Sequence, residues 1–187
     1  MRRVDICSFT AYFLVLKNIY KGKGYGSLLI EECLKDAREE NLHGVAVVTR
    51  KGPFMTGKEL FVKNGFEVVD KAPPDFELLV KKFNKIASSP KFKGKCEERL
   101  RQYNECLTII RADQCPYTVK NVNEIRETAE KKYGIKPNIM SLQNCEEAQN
   151  SPCAFGTFCI IYRGKAIAYH PISAARFSNI MNKELKS

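Results

Sequence analysis

The sequence predicts an α/β protein built from two domains. Short apolar runs rich in β-forming residues alternate with amphipathic helical segments along most of the chain. This periodicity is lost in the stretch NKIASSPKFKGK at residues 84–95, and a length of 187 residues suits one large domain or two small ones. We therefore assign residues 1–85 to a first domain, 86–104 to a linker and 105–187 to a second domain.

The first half of the chain alternates strands with helices. Strands are predicted at residues 10–17, 45–49, 66–70 and 76–83, and helices at residues 24–40 and 58–63. Two arginines precede the first apolar run, an arrangement that signal peptides share. Asp5 interrupts the charged part and no small-residue cleavage site follows, so a buried strand is the preferred interpretation. No run reaches transmembrane length, so no membrane association is expected.

The helix predicted at residues 24–40 is amphipathic. Its apolar residues are Leu29, Cys33 and Ala37 in one predicted buried stripe, with Ile30 and Leu34 beside it. Gly44 follows the helix and is predicted to take the left-handed conformation that commonly ends helices.

The second half predicts a β-α-β unit followed by a β-β-α unit. Strands are predicted at residues 106–112 and 138–142, with a hairpin around Arg163-Gly164. Helices are predicted at residues 119–133 and 173–182, and residues 145–150 are predicted to be a short helix or a turn. The segment DQCPYT before the first of these helices is predicted to be a turn.

Charge and cysteine content argue against several function classes. The net charge is +10, and it divides evenly: residues 1–92 hold 16 basic and 11 acidic residues, and residues 93–187 hold 15 and 10. Nucleic-acid binding usually needs a clustered basic stripe, so it is not favoured, whereas a small anionic ligand fits the same charge. The eight cysteines include no CxxC pair and no zinc-ligand spacing, which indicates no metal site and a reducing, cytoplasmic compartment.

A glycine loop stands between the first predicted strand and the first predicted helix. It reads Lys21-Gly22-Lys23-Gly24-Tyr25-Gly26 and is followed by Ser27. A helix start presents unpaired N–H groups and a positive dipole end, glycines let an anion approach the backbone, and lysines add charge. The stretch therefore predicts a phosphate-binding site, with a simple connector as the alternative. It matches neither the GxGxxG dinucleotide pattern nor the Walker A pattern.

The loop resembles the acyl-CoA loop of the Gcn5-related N-acetyltransferases (GNAT), Arg/Gln-x-x-Gly-x-Gly/Ala, with Lys21 in the first position. The order of elements through KNGFEVVD extends the resemblance over residues 10–83. It implies transfer of an acetyl group from acetyl-CoA to a small-molecule or peptide amine. It also implies a set of acetyl-CoA contacts: the backbone of Leu14, Val15 and Leu16 for the pantetheine arm, and Lys21, Gly22, Lys23, Gly24, Tyr25, Gly26 and Ser27 for the pyrophosphate.

The sequence departs from this family in two ways. Phe61 stands where a catalytic Tyr is expected and Phe54 stands near the place of a frequent Asn, so no catalytic acid is assigned. The family also has further strands and helices before the loop, which bind the amine, and this chain has twenty residues there. Its first strand would then have an unpaired edge, which proteins normally cover. The alternatives are a second copy of the chain, another partner chain, the C-terminal domain, or a truncated protein whose edge stays open.

The second half resembles a thioredoxin-like fold. The stretch CLTIIRADQCPYTVKNVNEI would deliver Cys115 to a helix start, as in the CPYC motif of glutaredoxins, where thiol pKa values are depressed. Thr118 replaces the second cysteine, and Gly156 stands where a cis-proline is expected. A structural or relic Cys115 is therefore favoured, with a redox pair of Cys115 and Cys153 as the alternative.

An acetyltransferase half followed by this second half resembles the acetyltransferases with a YoaP-like C-terminal domain, through the stretches QCPYT and AQNSPCAFGTFCIIYRGK. The expected fold is thus a partial GNAT-like mixed sheet followed by a thioredoxin-like domain. The expected function is acetyl-CoA-dependent N-acetyl transfer to an unidentified amine. A thiol-based redox or sensing protein centred on Cys115, with a CoA-binding module, is the second hypothesis, and nucleic-acid binding, motivated by charge alone, is the third.

Overall fold

The computed structural model describes residues 6–8, 22–52, 55–84, 87–104, 106–113, 116–154 and 156–186. The chain divides into two compact units, Met1–Phe92 and Lys93–Ser187, and each unit contains a mixed β-sheet with helices. The predicted α/β class is confirmed at this level. Within the described part of the chain, no helix is long and apolar enough to cross a membrane.

The sheet of the first unit joins a short parallel pair to an antiparallel hairpin. Its elements are β1 (Ile6–Ser8), α1 (Tyr25–Glu39), β2 (Gly44–Thr49), α2 (Lys58–Lys63), β3 (Glu67–Ala72) and β4 (Phe76–Lys82). The strand order is β1-β2-β4-β3, with β1 parallel to β2 and β4 antiparallel to both of its neighbours. The strand predicted at residues 10–17 lies outside the described residues, and β1 was not predicted as a separate strand.

Helix α1 buries most of the predicted stripe, but not Leu29. Ile30, Leu34 and Ala37 are buried and pack with residues of β2 and β4, whereas the side chain of Leu29 is 54% exposed. Residues at positions i, i+4 and i+7 share one face of a helix, and Leu29 lies about 100° away from Ile30 around the axis. The prediction is therefore wrong for Leu29. It is confirmed for Ala37 and for Cys33, which is partly buried and packs against the same cluster, as do Ile30 and Leu34, which were predicted to lie beside the stripe.

Gly44 does not cap helix α1. It is the first residue of β2 and is buried there, and a Cβ atom at this position would lie 2.5 Å from the carbonyl oxygen of Lys81. The left-handed residue of the turn is Asn41, with a φ of 56°. Asparagine tolerates this conformation better than most residues because its short polar side chain bonds locally. Gly44 is thus required by the close approach of β4 to β2 and not by the end of the helix.

The second unit has the predicted β-α-β and β-β-α order. Its elements are α3 (Cys96–Leu100), a 3-10 turn (Arg101–Tyr103), β5 (Leu107–Arg111), α4 (Pro116–Tyr133), β6 (Asn138–Ser141), α5 (Cys145–Asn150), β7 (Phe158–Tyr162), β8 (Lys165–Ala168) and α6 (Ala174–Glu184). The strand order is β6-β5-β7-β8, with β5 parallel to β6 and β7 antiparallel to β5 and β8. The predicted hairpin is confirmed, with positive φ at both Arg163 and Gly164.

Strand β7 is buried on both faces of its sheet. Phe158, Ile160 and Tyr162 belong to one core cluster, which includes residues of α4 and α6, and the intervening Cys159 and Ile161 belong to another. This division follows from the two-residue period of a strand, which sends alternate side chains to opposite faces.

Two local predictions in the second unit differ from the structure. Helix α4 begins at Pro116, three residues before the predicted start, which suits a proline because the first helical position needs no N–H donor. The predicted linker 86–104 also contains α3 and the 3-10 turn. Leu100 and Tyr103 from these elements pack against the cluster that contains Cys159 and Ile161.

Candidate functional site

The glycine loop adopts a backbone that only glycine takes readily. Gly22 and Gly24 have φ values of 75° and 81°, in the left-handed region. Among the described residues, a Cβ atom at either position would meet no atom within 4 Å. The backbone conformation, and not packing against these residues, is therefore what requires glycine at both positions.

The loop ends in the start of helix α1. Gly24 is the N-cap residue, and its carbonyl oxygen accepts hydrogen bonds from the N–H groups of Ser27 at 2.9 Å and Leu28 at 3.1 Å. The first turn contains no acidic residue, and residues 22–25 are exposed. The first N–H groups of a helix point along its axis and carry partial positive charge. With the Lys23 ammonium nearby in sequence, the loop has the chemistry of an anion site.

Helix α2 holds the other side of this turn. The Asn64 side-chain amide at the end of α2 donates to the Ser27 hydroxyl oxygen at 3.2 Å and to the Leu60 carbonyl oxygen at 2.8 Å. A Cβ atom on Gly26 would lie 3.1 Å from a methyl carbon of Leu60, so Gly26 allows the two helices to approach closely. Sequence reasoning missed Asn64 as a site residue because Asn-Gly after a helix indicates only a stop.

The structure describes part of the predicted site. Gly22, Lys23 and Gly24 form the loop, and Tyr25, Gly26 and Ser27 form the first turn of α1. Leu14, Val15, Leu16 and Lys21 lie outside the described residues. The assignment of all ten residues as acetyl-CoA contacts stays a prediction.

Phe61 is a core residue. Its side chain is 1% exposed and meets the ring of Phe66 edge-on, with the ring centres 5.6 Å apart. A buried phenyl ring has no proton to donate, so it cannot act as a general acid. Phe54, the other position noted from sequence, lies outside the described residues.

A cavity of about 580 Å³ lies beside helix α2, at the carboxyl end of β2 and the turn between β3 and β4. Its ion pairs involve two lysines and one arginine. The Lys58 ammonium lies 2.9 Å from a Glu77 carboxylate oxygen, Lys71 lies 3.7 Å from the same oxygen, and Arg50 lies 2.6 Å from Asp75. The hydrogen bond from Lys58, with a further contribution from Lys71, lowers the pKa of Glu77, and partial desolvation opposes this shift.

Two cysteines of the second unit, Cys153 and Cys159, are buried. The Cys153 thiol donates a hydrogen bond to the carbonyl oxygen of Phe158 at 3.2 Å. The interaction with Cys153, together with burial, raises the pKa of the Cys159 thiol well above its usual value. Burial also raises the pKa of Tyr103. Cys115 lies outside the described residues, so a Cys115–Cys153 pair stays a prediction.

Comparison with known proteins gives two matches. A family model described as YoaP-like matches residues 138–179, within the second unit. The chain is also 32% identical over 166 residues to a Bacillus subtilis (strain 168) protein named "Uncharacterized N-acetyltransferase YoaP". That alignment covers 87% of this chain and 65% of the relative, so the chain spans less than two thirds of that protein's length. No solved structure matches the chain. Over most of its length, the chain is therefore similar to a protein named as an N-acetyltransferase.

Proposed function

We propose that the chain is an acetyl-CoA-dependent N-acetyltransferase, with a GNAT-like first unit and a thioredoxin-like second unit. The observation that carries the proposal is the exposed turn in which Gly22 and Gly24 hold left-handed conformations directly before a 15-residue helix. The similarity to a protein named as an N-acetyltransferase supports the same class.

The two sheet topologies support the fold part of this proposal. In the first unit, the parallel β1–β2 pair precedes the antiparallel β3–β4 hairpin, with α1 and α2 between the strands. In the second unit, a parallel β5–β6 pair connected through α4 is followed by the β7–β8 hairpin and α6.

The residues present fit a diphosphate ester. Gly22 and Gly24 leave room for an anion at the backbone, and Lys23 supplies positive charge. We assign the loop from Lys21 to Ser27 to the pyrophosphate of acetyl-CoA and the backbone of residues 14–16 to its pantetheine arm. Asn64 orients Ser27 through its hydrogen bond and acts as a positioning residue. Bound acetyl-CoA supplies the acetyl group as a thioester, and the acceptor is an amine.

Acetyl-CoA binding is tested by thermal shift with wild-type protein and a Gly24→Asn variant. Asparagine tolerates the left-handed conformation better than most residues, so the variant is expected to melt within about 3 °C of wild type. Its side chain would occupy the space above the loop. At a concentration of 100 Kd, acetyl-CoA should stabilise wild type by about 2.7 kcal/mol. The variant should bind at least about tenfold more weakly, since a hydrogen bond to a charged group contributes about 1.5–3 kcal/mol.

The matched control is Gly134→Asn. Gly134 is also left-handed, with a φ of 65° and open space around its Cβ direction, but it lies in the second unit. This variant should bind acetyl-CoA as wild type does. No thermal shift with wild type, or equal weakening in both variants, would contradict the proposed donor site. Transfer itself is measured by mass spectrometry across a panel of amines, because thiol-reactive dyes would also label the eight cysteines.

A further inference from the structure

We propose that the cavity beside helix α2 binds a small molecule carrying a carboxylate group. We further infer that this molecule is an amino acid that accepts the acetyl group, an inference that rests on the proposed function. We call the cavity the lysine pocket; it is lined by Thr49, Arg50, Lys51, Gly57, Lys58, Glu59, Lys71, Ala72, Pro73, Pro74, Asp75, Phe76 and Glu77.

The size and walls of the lysine pocket suit a small organic ligand. Its volume of about 580 Å³ lies within the range of small-molecule sites, which is about 300–1,000 Å³. Pro73 and Pro74 provide exposed apolar surface at the turn between β3 and β4, and the lining also includes the buried Ala72 and Phe76. Apolar walls with a few charged groups are the usual composition of a site that binds a short carbon chain with a charged end.

The charges that face the lysine pocket favour an anion. The basic residues of its lining are Arg50, Lys51, Lys58 and Lys71, and the acidic ones are Glu59, Asp75 and Glu77. Two lysines share one carboxylate, because Lys58 and Lys71 both approach the same oxygen of Glu77. The lining therefore carries one excess positive charge.

Lys71 is the best placed of these groups to hold a ligand. Its ammonium is 3.7 Å from Glu77, beyond the usual hydrogen-bond length, while Lys58 makes the short contact at 2.9 Å. An ammonium has three donors, and the Lys71 side chain is 73% exposed. A ligand carboxylate can therefore bind Lys71 without breaking the Lys58–Glu77 pair.

Helix α2 connects the lysine pocket to the glycine loop, which is why we assign the ligand as the acceptor. Lys58 begins α2 and lines the pocket, whereas Leu60 and Asn64 contact Gly26 and Ser27 of the loop. At 1.5 Å per residue, Lys58 and Asn64 lie about 9 Å apart along the helix axis. The two sites therefore lie at opposite ends of one short helix.

The test is calorimetric measurement of glutarate binding in the absence of acetyl-CoA. The uncharged glutaramide is the matched control probe. The salt concentration is about 0.15 M, at which screening confines charge effects to about 8 Å. Glutarate should bind wild type and glutaramide should not. Lys71→Gln should weaken glutarate binding roughly fivefold, as expected for one exposed charge. Glu77→Gln should strengthen it, because both lysines are released. Lys63→Gln removes the same charge from an exposed position of α2 outside the pocket and should leave binding unchanged.

Absence of glutarate binding to wild type, or equal effects of Lys71→Gln and Lys63→Gln, would overturn the proposal. Circular dichroism verifies that each variant is folded. If Glu77→Gln is unstable, Lys71→Gln still tests the proposal, because Lys71 is exposed and its replacement should not unfold the protein. Acetyl-CoA binding is measured separately, so the two proposals fail independently. Acetyl-CoA binding without glutarate binding rejects the lysine pocket alone, whereas glutarate binding without acetyl-CoA binding rejects the assignment as acceptor and keeps the carboxylate site.

Discussion

The glycine loop of the first unit and the thiol cluster of the second unit place their polar groups in opposite environments. We define the thiol cluster as Cys153 and Cys159 with the buried Ile110 and Ile161. In the loop, residues 22–25 are exposed, and Gly22 and Gly24 hold the left-handed conformation that favours glycine. In the cluster, the side chains are buried and bonded to the protein itself.

This difference shows that the glycine loop is accessible to a ligand and that the buried thiols are not. Residue type and position had suggested a binding role for the loop and, as an alternative hypothesis, a redox role for Cys153. The Cys153 thiol donates to a carbonyl oxygen within its own unit, and the neighbouring Cys159 has a raised pKa. A protonated, buried thiol is a poor nucleophile, since the thiolate is the reactive form. The exposed loop, by contrast, keeps open space next to its backbone.

The largest expected effect that sharpens this comparison is on stability. Ile161→Ala should lower the free energy of unfolding by about 3 kcal/mol, because it leaves a cavity in a fully buried cluster. Leu29→Ala, on the exposed side of α1 near the loop, should change it by less than about 0.5 kcal/mol. Urea denaturation followed by circular dichroism measures both. Similar losses for the two variants would show that the regions do not differ in packing.

A second prediction concerns pH. Because the folded-state pKa of Cys159 is raised, the thiol ionises in the unfolded chain, near pH 8.5, before it ionises in the fold. The folded state then binds more protons above that pH. The contribution of Cys159 to stability is complete below about pH 8.5 and falls as pH rises towards the folded pKa, by up to about 1.4 kcal/mol per pH unit.

Urea denaturation at several pH values from 7 to 10 measures this slope, with Cys159→Ala as the comparison. The variant should be less stable at pH 7 but should lose less stability as the pH rises. A slope equal to that of wild type would mean that Cys159 is not the titrating group.

The smallest expected effect concerns the connection between α2 and the loop. Asn64→Ala removes the hydrogen bonds to Ser27 and Leu60 and should cost about 1 kcal/mol of stability. If Asn64 positions Ser27 for acetyl-CoA, the variant should also bind acetyl-CoA a few-fold more weakly. Ser27→Ala should then add little further loss in the double variant, because the two residues act through one bond. Fully additive losses of acetyl-CoA affinity would contradict the positioning role.

The sequence alone was sufficient for features that depend on local pattern or backbone conformation. The glycine loop, the hairpin at Arg163-Gly164, the end of α2 at Asn64-Gly65 and the order of elements in the second unit are of this kind. Turn residues specify φ directly, and hydrophobic period specifies the type of element, so neither requires knowledge of distant residues.

The tertiary structure decided which surfaces meet. The apolar pattern of α1 included both Leu29 and Ile30, and the position of β2 and β4 selected Ile30 for burial and left Leu29 exposed. The same kind of contact buried Gly44 against Lys81, bonded Asn64 to Ser27, and assembled the lysine pocket from segments 49–51, 57–59 and 71–77. These contacts join residues far apart in the sequence, and their energies depend on the register and crossing of whole elements, which no local pattern contains.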